Sequence, residues 1–583
     1  MDFKKYNLMS SSICFDKDDC CCSKCSCSSN IADFVVYGKI CTSNKNHDYV
    51  EAFAVKDGKY IYVGDKEGCK KYIKDGVTKI VDKNRGFVMP GATEGHGHYI
   101  MSAVMETKGF ICYTKTLEDT FEYLKNIIKK NPDSTLYLTY GWDNVTLTSI
   151  KAVTDVRKML DEICSEKPVI MIDNTGHNIF MNSLTIEKAG LTKDTSIEGG
   201  YISKNNDGRL LGLASDIAMN YVLNRVLKPS NFLSPKDFEE ALQGCEYLLH
   251  SLGYTSYFDA YTSYFGESAF KGISEYDKKH GLKVYIEGSY KIDPFEDIDK
   301  CLQETKLFKE KYTTKRFKPD IVKLFADGEC VESKSGWVIK PYKDGTYGTQ
   351  VWKDDLIYET VRKANAMGLS VHIHTSGDGA TTQAVNAFVA AKKTAKDGVI
   401  NSLAHSRHIT EETKVLMAEH KIPSSTNICW RIYPKIEEEH MHEAFDYDWY
   451  IHGYPMKSLL NKGIIMSSST DYPSNAGCPC DMPNIIELAV NGTVDPETYP
   501  TDQLGHLSED EQITLEEAID VFTINGAKQL GIQNERGSIE VGKFADFLYL
   551  DKDITKLALN EIHNAKISEV YFEGDLVYKL EKN

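Results

Sequence analysis

No stretch of this 583-residue chain approaches the run of about 20 apolar residues that a membrane-spanning helix needs. A helical membrane anchor is therefore excluded as a reading of the sequence. Residues Met1 to Met9 lack the apolar core of a secretory signal, so a cytoplasmic protein is expected. Positive charge is short: 68 Lys and Arg face 85 Asp and Glu, a formal net charge of −17. That balance argues against a nucleic-acid backbone or an anionic membrane as partner and leaves a small molecule; a homodimer is compatible with it. Of the 16 cysteines, six crowd into one tract: Cys14, Cys20, Cys21, Cys22, Cys25 and Cys27. A second Cys-x-x-Cys at zinc-ribbon spacing is missing. The tract reads first as a disordered tail over residues 1–30 and second as a thiolate metal site.

The length allows a large barrel plus a smaller module. Short β-rich runs occupy residues 31–64, broken by Asp57-Gly58, which is hairpin grammar. The same grammar returns in Gly537–Leu550 and Val570–Tyr578. A β-sandwich domain assembled from residues 31–88 and 535–583 is expected. Between them helices alternate with strands. Ser234-Pro235 offers an N-cap and a first-turn proline, with Phe238, Leu242, Cys245 and Leu249 at helical spacing. A strand follows at Tyr254–Phe258. Ile357, Val361 and Ala364 share one helix face, Gly368 terminates it, and the strand Leu369–His374 follows. Thr514-x-x-Glu517 is a capping box opening a helix to about Gly531. Repeated βα units with polar residues at strand ends predict an α/β fold, a (β/α)8 TIM-like barrel over residues 89–534, whose chemistry sits at the C-terminal rim. Residues 110–230 exceed one βα unit and predict an insertion over that rim.

The most informative segment is Val88-Met89-Pro90-Gly91-Ala92-Thr93-Glu94-Gly95-His96-Gly97-His98. In extended backbone, residues two apart point to the same side, so His96 and His98 can offer two nitrogen ligands to one metal. Four more segments end strands in ligand-type side chains. Lys323 lies inside the apolar strand Ile321–Phe325, where an ammonium is costly unless paired. His372 and His374 form a second His-x-His, His405 ends Ser402–His405, and Asp471 ends Ile464–Asp471. The third His-x-His, His440 and His442, follows an acidic run and reads as a solvated loop or gate. Cys478-Pro479-Cys480 reads as a loop thiol pair.

This order resembles the amidohydrolase superfamily, and in particular its YtcJ-like branch, amidohydrolase family 3. The resemblance extends from about Ile31 to Tyr578. The branch ends its first barrel strand Pro-Gly-Phe-x-Asp-x-His-x-His; here Ala92 replaces Phe and Glu94 replaces Asp. Gly141-Trp142-Asp143, Gly176-His177-Asn178 with Asn182-Ser183, Lys323–Gly328, His374–Asp378, Asp471-Tyr472-Pro473 and Gly537–Asp546 are similar to its further motifs. The chain departs from the branch at Ala404, where Glu is usual, and at Gly379, where Arg is usual.

The resemblance implies His96, His98, His374, His405 and Asp471 as metal ligands, with Lys323 joining as a carbamate between two metals. His372 is a fallback ligand or an interior histidine. One or two divalent ions are implied, zinc first, with iron or manganese as alternatives. The implied chemistry is hydrolysis of a C–N bond in an amide, cyclic amide or N-formyl compound. Asp471 would move the proton and His177 would assist catalysis or bind substrate, with Trp142 and Asp143 as pocket walls. The rival readings are an inactive barrel that binds or scaffolds, and a deaminase or C–O hydrolase of the same superfamily.

Overall fold

The computed structural model describes residues 31–112, 114–143, 154–174, 176–331, 333–435, 438–474, 478–499 and 501–581. The N-terminal Cys tract lies outside the described residues. Eight parallel strands form the centre: β1 (Ala92–Gly97), β2 (Tyr254–Asp259), β3 (Tyr285–Lys291), β4 (Phe317–Phe325), β5 (Ser370–Thr375), β6 (Ser402–His405), β7 (Ser424–Thr426) and β8 (Met466–Ser468). They pair in the order β8-β7-β6-β5-β4-β3-β2-β1. Backbone bonds at the C-terminal rim join the two ends: Asp471 N–H donates to the His96 carbonyl at 3.0 Å, and His98 N–H to the Tyr472 carbonyl at 2.8 Å. The barrel is closed by the same residues that carry the candidate ligands.

Local chemistry explains the helices around it. Ser234 caps the helix Pro235–Ser251, and Asp237 reaches back to the Ser234 N–H at 2.7 Å. Thr514 and Glu517 form the reciprocal box that opens Leu515–Phe522. That helix does not run unbroken to Gly531. It breaks at Thr523 (φ −115°, ψ −93°) and resumes at Ile524–Gln529. In the second piece Gly526 lies so close to β1 that a Cβ there would meet Thr93 Cβ at 2.5 Å. No described helix is long and apolar enough to cross a membrane.

Both ends of the chain contribute to one seven-stranded mixed sheet. Phe34–Cys41, Tyr49–Lys56, Lys59–Gly64 and Lys79–Pro90 join Phe547–Leu550, Ile567–Phe572 and Asp575–Lys579. Asp57 and Gly58, at φ 49° and 73°, form the hairpin turn, the pair of positive φ values that a type I′ turn requires. The sheet is continuous but rolled. A flat sheet would separate strands three positions apart by about 14 Å, yet the rings of Phe53 and Phe547 pack edge-on with centroids 4.9 Å apart. The two sides of the roll thus face each other as in a sandwich. Between the helix Tyr99–Thr107 and the helix Pro235–Ser251, the chain builds a second sheet of five strands, Tyr137–Trp142, Val169–Asp173, Asn178–Met181, Gly200–Lys204 and Leu210–Asp216.

Candidate metal centre

The end of β1 and the turn after β8 meet at one point. His96 Nε2 and His98 Nε2 lie 3.2 and 3.1 Å from Asp471 Oδ1. One ligand atom from each of the three falls within 4.8 Å of the others. Asp471 Oδ1 and His98 Nδ1 are both buried without a hydrogen bond. Two nitrogens and a carboxylate oxygen that converge inside the protein without hydrogen-bonding one another fit a divalent cation. Burial works to raise the Asp471 carboxyl, but His98, His405 and Lys323 together hold it below the ordinary carboxylate value.

Two more imidazoles pack against this group. The His405 ring centroid lies 4.9 Å from that of His96 and 4.5 Å from that of His374. His405 Nδ1 bonds Asn427 Oδ1 at 2.8 Å, which leaves Nε2 free of that bond. His374 Nε2 donates to the Gly328 carbonyl at 3.2 Å, which leaves Nδ1. Burial and the Lys323 charge lower His374 to about 3. Burial likewise drives His96, His372 and His405 well below the usual imidazole value. All four are neutral at physiological pH, the state a metal ligand needs. The backbone is strained here: His405 has φ 64° and Asp471 φ 55°, a region that non-glycine residues enter rarely and at a cost.

Lys323 on β4 is fully buried, and its Nζ has no hydrogen-bond partner. Burial pushes its pKa down to about 7 against the opposing pull of Asp471. His372 Nε2 bonds His96 Nδ1 at 2.8 Å, and His372 Nδ1 bonds Ser402 Oγ at 2.7 Å. With its two nitrogens spent this way, His372 orients His96 and is not available as a ligand.

Glu94, which the sequence marks only as a replacement for Asp, is fully buried and ties the two ligand segments together. Its carboxylate accepts from His96 N–H and Thr470 N–H, each at 3.1 Å, and from Thr470 Oγ1 at 2.8 Å. Burial raises it to about 8. Its place two residues before His96 on an extended strand is the signal that would have found it. Asn427, Ser402 and the Gly328 carbonyl carry no such signal.

His177 belongs to the inserted segment and is half-exposed, with Nδ1 2.9 Å from Asp216 Oδ1. Packing pulls its pKa down, but the Asp216 carboxylate raises it above the usual imidazole value overall. Its charge contributes, as the smallest of several causes, to the lowered pKa of His374. Trp142 is placed differently from a pocket wall. Its indole is fully buried, stacked on Phe180 at 4.3 Å and 10°, and Nε1 donates to the Met171 carbonyl at 3.1 Å. That ring is core of the five-stranded sheet, with no edge left for a substrate. Asp143 is half-buried, its N–H donates to the Thr114 carbonyl at 3.0 Å, and residues 144–153 after it lie outside the described residues.

At Gly379 a side chain would be tight, because a Cβ there would meet the Trp337 ring at 3.0 Å. Ala404 on β6 is fully buried beside His374 on β5. His442 lies on the helix Glu438–Ala444, exposed and 3.8 Å from Glu438.

The family model for the amidohydrolase family matches residues 79–578. The exoenzymes regulatory protein AepA of Pectobacterium carotovorum is 25% identical, covering 74% of this chain and 92% of its own. The protein YtcJ of Bacillus subtilis is 23% identical over 93% of this chain and 98% of its own. An uncharacterized metal-dependent hydrolase from Pyrococcus furiosus superposes with a TM-score of 0.66 at 23% identity, covering 89% of this chain and 99% of that one; this likeness speaks to the fold. With the family match running from the terminal sheet through the whole barrel and back, the chain belongs to the amidohydrolase family, in the YtcJ-like branch known as amidohydrolase family 3.

Proposed function

We propose that this chain is a metal-dependent hydrolase that cleaves C–N bonds of small amides, cyclic amides or N-formyl compounds. The observation that carries the reading is the convergence of His96, His98 and Asp471 on one point. Support for the bond type comes from the N-substituted formamide deformylase of Arthrobacter pascens, 21% identical over 94% of this chain and 98% of its own. His96, His98 and Asp471 would hold a first ion. His374 and His405 would hold a second, with Lys323, once carbamylated, shared between the two. A donor set of imidazole nitrogens and carboxylate oxygens suits zinc first, then iron or manganese. Such an ion, when bound, supplies Lewis acidity that acidifies water and polarises a scissile carbonyl.

The protein's own groups do the rest. Asp471, held ionised by its neighbours, is the base that takes a proton from water and returns it to the departing amine. His177, its charge supported by Asp216, donates a hydrogen bond to the oxygen that becomes negative as the carbonyl is attacked. Glu94 and His372 keep the ligands in register, and the small barrel interior around them excludes bulk water. The reading is tested by loading purified protein with zinc, iron or manganese and screening formamides, acetamides and lactam-like rings, with esters and amino-heterocycles alongside. Turnover of an amide that disappears with chelation and returns with metal supports it. Turnover confined to esters or amino-heterocycles would reassign the bond.

A further inference from the structure

Two residues beyond His405, Arg407 turns back under the same rim. Its side chain is only 8% exposed. Nε is sealed from solvent without a hydrogen-bond partner, and among the described residues nothing accepts a hydrogen bond from either terminal nitrogen. The nearest carboxylate is Glu329, with Oε1 3.8 Å from Nη1. That is beyond hydrogen-bonding distance, and Glu329 Oε2 is spent on the Val331 N–H at 2.7 Å. Other buried arginines of this chain are treated differently. Arg431 donates to the carbonyls of Gly453, Tyr454 and Ser508. Arg536 is paired with Asp546 and Glu573. Unlike Nε, the two terminal nitrogens keep access to solvent while lacking a protein acceptor, so the guanidinium fork is open to an acceptor that arrives from outside.

The surroundings say where that acceptor enters. The guanidinium lies 5.3 Å and 5.1 Å from the ring centroids of Tyr450 and Tyr454. Tyr454 packs 5.9 Å from Trp430, which stacks on His405 at 5.4 Å and 16°. On the other side, Glu329 follows Gly328, whose carbonyl fixes His374. Arg407 is thus bracketed by the immediate neighbours of two candidate ligands. We propose that Arg407 is the anion-recognition point of the substrate pocket, and that the substrates are amides carrying a carboxylate a few bonds from the scissile C–N bond. A planar carboxylate matches the guanidinium fork with two parallel hydrogen bonds. A phosphate dianion suits the site less, because it would meet Glu329 and a chain of net charge −17.

The inference rests on the hydrolase reading for the word substrate, but not for binding, so the two are tested separately. N-formylglycine, N-formyl-β-alanine and N-formyl-4-aminobutyrate, each with its methyl ester, are titrated calorimetrically into metal-loaded protein, and hydrolysis of the same six compounds is measured. At least one acid is expected to bind about 10- to 100-fold more tightly than its ester, as two charge-assisted hydrogen bonds allow. Arg407→Gln brings that ratio close to one, and Arg407→Lys keeps part of it. If Arg407→Gln does not fold, the wild-type acid-to-ester ratio and the lysine variant decide. Acids that bind no better than esters, or a glutamine variant that weakens both alike, would overturn the proposal. Preferential binding of acids without any hydrolysis would leave the subsite standing and reject the hydrolase. Hydrolysis without acid preference would do the reverse.

Discussion

Replacing His372 by alanine separates two roles that the same side chain can play in such a barrel. In the structure it bridges His96 Nδ1 at 2.8 Å and Ser402 Oγ at 2.7 Å, so it acts through His96. Alanine removes the partner that keeps the His96 proton on Nδ1 and Nε2 turned towards Asp471. A buried hydrogen bond lost with one partner left in place costs about 1–3 kcal/mol. At 1.4 kcal/mol per decade, that is about 5- to 150-fold in metal affinity, matching the about 10- to 100-fold seen when groups behind metal ligands are removed. Ser402→Ala, one bond further out, should fall at the lower end. The assay is competition for zinc between apo-protein and a chelator of known affinity, with circular dichroism to confirm folding. An affinity within about two-fold of wild type would refute the orienting role; complete loss of the ion would make His372 a ligand.

Three other substitutions or conditions test separate parts of the site. Asp471→Asn should keep most of the metal, since the five other candidate ligands His96, His98, His374, His405 and Lys323 remain, and lower kcat by about 10²–10⁴, the usual worth of a proton-transfer group; both are read from metal analysis and steady-state kinetics on one preparation. Lys323, lowered to about 7, gains its neutral, CO2-reactive amine as pH rises through that value, so only about a tenth is neutral at pH 6. A carbamate signal from 13C-labelled bicarbonate should therefore be present at pH 8 and fade below pH 7; a signal that is absent at pH 8 contradicts the modification. Trp142→Ala should cost about 3–5 kcal/mol of stability through the cavity it leaves while KM for any substrate found stays put, measured by denaturant unfolding and kinetics; a KM effect without a stability loss would restore it to the pocket.

The parts of this architecture that were legible in the sequence are those set by local rules. Ser234-Pro235, Thr514-x-x-Glu517 and Asp57-Gly58 fix helix starts and a hairpin through backbone hydrogen bonds within a few residues, and each appears where the pattern put it. The alternation in His96-Gly97-His98 likewise placed both imidazoles at one strand end. What the pattern did not carry is side-chain environment. Trp142 stands beside Asp143 in a motif, yet its ring turns into the sheet to meet Phe180 from a strand some 40 positions on. Glu94 and Arg407 act through partners that only the closed barrel supplies: Thr470 for one, the Tyr450 and Tyr454 rings for the other. The break at Thr523 and the close approach of Gly526 to Thr93 beyond it carry no capping signal.

Metal content tests the whole account most directly. Protein expressed in metal-replete medium, dialysed and analysed for bound zinc, iron and manganese should hold one or two ions per chain, and the His96→Ala/His98→Ala double variant should lose at least one of them while remaining folded. Wild-type protein free of metal, or a double variant with undiminished content, would contradict the claim that these histidines and Asp471 gather around a cation.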